Sequence, residues 1–177
     1  MKKIIFCGII FAIGFYAHSQ SYAQQSFNTI NGENVLLNSY LGKKTLFFIV
    51  PLSQSDPVYP QLQAFKNRYL DTVRIVGILS YEDGYQSSNA SAMQNLYSSM
   101  NIILTEGMYT KKSSGANQST MMKWMTSKTM NHHFDMDATG IGHKFFVNEN
   151  GRLFGVMPSQ TPLNAPIIDK IVHSTAQ

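Results

Sequence analysis

The stretch "LFFIVPLSQSDPVYPQLQAFKNRY", Leu46 to Tyr69, sets the fold class. An apolar run ends in a Ser/Pro-rich loop, and an amphipathic helix opens directly after it. The run Thr45–Leu52 is almost continuously apolar and rich in aromatic and β-branched residues, which fits a strand covered on both faces. Asp56 suits a helix cap and Pro57 the first helical position. Leu62, Phe65 and Tyr69 then fall on one helical face. The end of a strand under a helix N-terminus is where many folds place a nucleophile. Here that place holds Ser53, with no cysteine near it in sequence.

Working outward, the elements repeat this pattern. Val73–Leu79 ("VRIVGIL") is a second buried strand, followed by a polar loop and a helix from Ala90 carrying Met93, Leu96, Tyr97 and Met100 on one face. "NIIL" reads as a short strand, "TKKSSGANQ" as loop and "STMMKWMTSK" as helix, where Met121, Met122, Met125 and Trp124 serve as packing residues. "HKFFVNENGRLFGVM" is a hairpin turning at Asn150-Gly151, and an Asn31-Gly32 pair marks an N-terminal hairpin. Thr161 and Pro162 open a last helix with Ile167, Ile168, Ile171 and Val172 as its apolar stripe. This order predicts an α/β chain with a central mixed sheet, helices on both faces and an N-terminal β-hairpin, the order of a thioredoxin-like fold.

The beginning of the chain reads differently. Lys2 and Lys3 precede the apolar stretch Ile4 to Ala17, which is too short to span a bilayer comfortably. Ser21-Tyr22-Ala23 supplies small residues for a leader peptidase, and Ala17-His18-Ser19 supplies a second site. Residues 1–23 are therefore read as a signal peptide and 24–177 as one domain, exported to the periplasm or secreted, starting at Gln24 or Gln20. The formal charge of +4 includes the two leader lysines, and without them 12 Lys and Arg face 10 Asp and Glu. No basic stripe remains for nucleic acid. The single cysteine, Cys7, goes with the leader, so the mature chain has no thiol or disulfide chemistry.

Five segments, read together, resemble the glutathione peroxidase family over residues 28 to 172. "INGENVLLNSYLGKK" is similar to the family's opening hairpin and its Asp/Ser-Tyr-x-Gly-Lys segment. Pro57, Tyr59, Leu62 and Gln63 match its Pro-x-Tyr-x-x-Leu-Gln. "GANQSTMMKWMT" stands where the family has an Asn-led helix, "KFFVNENGRLF" resembles its Lys-Phe-Leu hairpin, and "MPSQTP" its entry to the last helix. The resemblance implies a thioredoxin-like fold. It also places Ser53 at the peroxidatic Cys or selenocysteine, Glu82 at the activating Gln, and Gly140 and Ile141 ("TGIGHKFF") where the family has Trp-Asn-Phe. Peroxide reduction needs a thiolate and nearby donors for the departing alkoxide. A serine hydroxyl is far less acidic and cannot cycle through a sulfenic acid. The positions implied by the resemblance therefore describe a degenerate site with no catalytic residue. Acyl transfer by Ser53 finds no support, since no G-x-S-x-G elbow and no neighbouring histidine accompany it.

"MNHHFDMDATGIGH" gathers the other candidate groups: His132, His133, Asp135, Asp137 and His143. Imidazole with thioether suits copper, and imidazole with carboxylate suits zinc. Adjacent histidines point apart on regular strands, however, so a solvated connection is expected, with no metal and no cofactor. The leading expectation is a pseudoenzyme acting as a binding or structural module for a protein or small-molecule partner. The competing one is a divergent redox or copper- or zinc-binding protein of the cell envelope, involved in the oxidative-stress response.

Overall fold

The computed structural model describes residues 22–175, so the leader read over 1–23 lies outside them except for Tyr22 and Ala23. A small antiparallel pair, β1 (Ser26–Asn28) and β2 (Asn34–Leu36), forms the expected hairpin around Asn31-Gly32. Then come β3 (Lys44–Ile49), α1 (Val58–Tyr69), β4 (Val73–Ser80), α2 (Ala90–Tyr97) and β5 (Ile103–Met108). The chain continues through α3 (Thr120–Thr126), α4 (Lys128–Asn131), β6 (Lys144–Val147), β7 (Leu153–Met157) and α5 (Pro166–His173). The five longer strands form one mixed sheet in the order β5-β4-β3-β6-β7. Strands β3, β4 and β5 run parallel through the crossovers α1 and α2, β6 runs antiparallel to β3, and β7 turns back antiparallel to β6.

Strand periodicity divides the core in two. On β3, Leu46 and Phe48 pack on one face with Leu62 and Phe65 of α1, Met93 and Tyr97 of α2, and Ile168 and Val172 of α5. Phe47 and Ile49 point the other way, to Met121, Met122, Trp124 and Met125 of α3 and to Phe27 of the hairpin. Both faces of the central strands are thus covered, which is why they read as unbroken apolar runs. Each fully buried side chain of this size contributes roughly 1.5–3 kcal/mol.

Three boundaries differ from the sequence expectation. The last helix starts at Pro166, with Ala165 as its cap, because Pro158–Thr161 and Pro162–Ala165 each close a turn through a backbone hydrogen bond. Ile167 is accordingly solvent-facing, while Ile168 and Val172 are buried. The helix over 119–128 breaks at Ser127, whose backbone is extended (φ −114°, ψ 119°). Strand β5 runs on from "NIIL" to Met108, since Gly107 and Met108 pair with Leu79 and Ser80 of β4. Among the described residues, no helix is long and apolar enough to cross a membrane.

Candidate functional site

Three loops meet at the C-terminal ends of β3 and β4. The first, after β3, carries Ser53 into α1. Its path is fixed by Tyr97, which donates from its hydroxyl to the Pro51 carbonyl at 2.7 Å, and by Asp56, whose Oδ1 accepts from the Val58 amide at 2.8 Å. The sequence expected Asp56 as the cap and Pro57 as the first helical residue; instead Pro57 is the cap position and α1 starts at Val58, the residue whose amide Asp56 holds. Ser53 itself is exposed. Its Oγ lies 2.8 Å from Ser55 Oγ and accepts from the Ser55 amide at 3.2 Å, a local Ser turn. Among the described residues no histidine, lysine or carboxylate is bonded to it, so none of them serves as a base for its hydroxyl.

The second loop begins with Tyr81–Asp83 and holds Glu82. The Glu82 carboxylate accepts from the amides of Thr110 and Lys111 at 2.9 Å, from Ser114 Oγ at 2.6 Å, and from the hydroxyls of Ser80 and Thr110. Burial alone raises its pKa. The Ser114 hydroxyl and the Lys111 and Thr110 amides outweigh that and hold it down to about 2. Glu82 is thus a permanent anion fastening the end of β4 to the segment after β5, and its hydrogen bonds go there and not to Ser53.

The third loop is 139–143. Gly140 sits at φ +106°, and a Cβ there would stand 2.8 Å from Asp83 Oδ1. A side chain at 140 meets both backbone strain and a carboxylate. Gly142, at φ +88°, lies against Val58 at the start of α1, and Ile141 packs partly into the core under α3. Of the sequence candidates, Glu82 and Gly140 therefore lie in loops that touch through Asp83. The loop holding Gly140 and Ile141 also reaches, through Gly142, the helix start just beyond Ser53.

Two buried groups stand beneath this surface: Lys144, which the sequence did not single out, and His143, one of the candidate ligands of the histidine-rich stretch. Lys144, the first residue of β6, is 1% exposed. Its Nζ donates to the Gly142 carbonyl and, at 3.4 Å, to that of Pro158, and it lies 5.6 Å from the Phe48 ring centre. Burial lowers its pKa to about 8. His143 is fully buried, and its Nδ1 accepts from the Thr139 amide at 3.2 Å, with Thr139 Oγ1 at 3.0 Å. Burial first, and the Lys144 charge second, lower its pKa to about 4 against the opposing Asp137, so the ring is neutral. The only hint of Lys144 in the sequence is a charged residue at the edge of the apolar run Phe145–Val147, whereas His143 stood among the candidate ligands but not as a buried, neutral ring.

The remaining ligand-type residues are dispersed. His132 and His133 are exposed after α4. Asp135 pairs with the Lys112 ammonium, and Asp137 accepts from the amides of Lys112 and Ala138 at 2.8 Å. Among the described residues, no three His, Cys, Asp or Glu side chains gather around one point. An apolar cavity of about 360 Å³ lies between α1 and the segment before α5, lined by Pro60, Phe65, Tyr69 and Leu163 among others, and by none of the site candidates.

No family model matches the chain, and no curated protein matches it. Solved structures do. T. cruzi GPX1 is 10% identical, with a TM-score of 0.64 over 86% of this chain and 95% of its own. Trgpx in its apo form is 17% identical, with a TM-score of 0.63 over 87% and 94%. An uncharacterized thioredoxin-like protein from Porphyromonas gingivalis is 20% identical, with a TM-score of 0.53 over 86% and 92%. The structural neighbours are glutathione peroxidase-like and thioredoxin-fold proteins, and the fold of this chain is thioredoxin-like.

Proposed function

We propose that the chain is an exported thioredoxin-fold protein whose glutathione peroxidase-like site has lost its chemistry, leaving a binding or structural module. The observation that carries this reading is the state of position 53. An exposed serine, bonded only within its own turn, stands where the resemblance puts a peroxidatic thiol. The chain's one cysteine is Cys7, in the stretch read as a leader.

The surroundings support the same reading. A thiol peroxidase needs a low-pKa thiolate and neutral donors for the leaving oxygen. Here Glu82 supplies a fixed negative charge, and Gly140 offers no side chain. The dense hydrogen bonding of Glu82 and the packing of Asp83 on Gly140 are what a site retained as scaffold would keep. The test is peroxide consumption by the purified chain with glutathione or with a thioredoxin system. No protein-dependent rate is expected, and a saturable rate would replace this reading with a divergent enzyme.

A further inference from the structure

We infer that leader removal leaves Tyr22 on the folded domain, so that the peptidase cuts after Ser19 and not after Ala23. This rests on the export reading proposed above and, of the two sites with small residues at the cleavage positions, takes the second, after Ser19, in place of the 1–23 leader read from the sequence.

Tyr22 is 5% exposed and belongs to the core under α3. Its ring centre stands 5.6 Å from that of Trp124, tilted by 51°. Burial raises the pKa of its hydroxyl. The opposite wall is the β6–β7 turn, where Gly151 has φ +78° and a Cβ would approach Tyr22 Cδ1 to 2.5 Å. The side chain of Leu41 closes the same space at 3.0 Å from that point. Behind the ring, the Tyr22 carbonyl accepts from the Gln25 amide at 3.0 Å, and the Gln25 carbonyl accepts from Leu37 at 2.9 Å. The tyrosine thus connects the chain's entry to both the hairpin turn and the only tryptophan.

A chain beginning at Gln24 lacks this ring. It would leave an aromatic-sized void bounded by Trp124, Gly151 and Leu41, and closely packed interiors do not collapse freely into such voids. A chain beginning at Gln20 keeps the ring and its carbonyl contact. Because Ser21-Tyr22-Ala23 supplies one of the two peptidase sites, the same tyrosine is either leader or core, and its packing assigns it to the core.

The test uses the full chain, expressed with its leader in a bacterium and recovered from the cell envelope. Both alternatives begin with Gln, so the intact mass is read. Retention of Gln20, Ser21, Tyr22 and Ala23 is expected, and a mass beginning at Gln24 overturns the inference. In parallel, Tyr22→Ala in the full chain is expected to lower the thermal midpoint of the recovered protein by on the order of 10 °C. An unchanged midpoint shows that the ring is not core and overturns the inference by a second route. An unprocessed chain overturns the export reading, and this cut with it, whereas a Gln24 start overturns only the choice of site.

Discussion

Glu82→Gln isolates what the structure asks of this residue. The carboxylate accepts from two backbone amides and three hydroxyls, while an amide side chain can accept on one atom only and turns a donor toward those donors. Lowering a carboxyl from 4.5 to about 2 corresponds at face value to about 3 kcal/mol. Glu82 is half-buried, so solvent screening reduces this to about 1–2 kcal/mol. With a urea m-value of about 2 kcal/mol per molar, the midpoint at pH 7 should fall by about 0.5–1 M at constant m. The folded pKa lies below the unfolded one, so the contribution is complete above pH 4.5 and fades as pH falls toward 2. Urea titrations of both proteins at pH 7, 4.5 and 2.5 check this. Equal midpoints at pH 7, or a gap that persists undiminished at pH 2.5, would refute the role of Glu82 as a charged fastening.

Gly140→Ala forces a Cβ toward Asp83 at a positive φ and should cost about 1–3 kcal/mol by chemical denaturation. His143 binds its proton less readily folded than unfolded, so stability should drop by up to about 3 kcal/mol as pH falls from 6.5 to 4. The variant His143→Gln should lack that part of the slope. Lys144 has its folded pKa depressed from 10.5 to about 8, so the wild type should gain on Lys144→Met by up to about 3 kcal/mol as pH rises through that window. Paired urea midpoints at pH 8 and 10.5 read this difference, and a flat difference would place the ammonium in contact with water.

Much of the fold was legible because it is local. Phe47 and Phe48 are adjacent, both wholly buried and on opposite faces, so a run without alternation correctly announced a doubly covered strand. The start of α1 fell one residue later than expected, at Val58 after Pro57, and the two Asn-Gly turns fell where expected. What the sequence concealed depends on distant partners. Strand β5 extends to Met108 because the Thr105 hydroxyl accepts from the Leu79 amide and Gly107 makes room for the Tyr81 and Tyr85 rings. Two prolines competed to open the last helix, and a turn consumed the first of them. At the site, Glu82 could be placed in a loop, but its partners Thr110, Lys111 and Ser114 lie in a different segment of chain. The burial of Lys144 was invisible for the same reason. A lysine at the edge of a strand ordinarily keeps its charge in water.

The central claim is that thiol-peroxidase chemistry is gone from this site and is not one side chain away. Stopped-flow peroxide reduction by the wild type and by Ser53→Cys, side by side, tests it most directly. The introduced thiol is exposed near the start of α1, where the helix dipole favours a thiolate and the Asp56 carboxylate opposes it, so it should titrate at about 8.5. The expected result is ready labelling of Cys in that variant, slow oxidation by peroxide without saturation, and no turnover with glutathione or thioredoxin in either protein. Rapid, saturable peroxide reduction by either one would contradict the account.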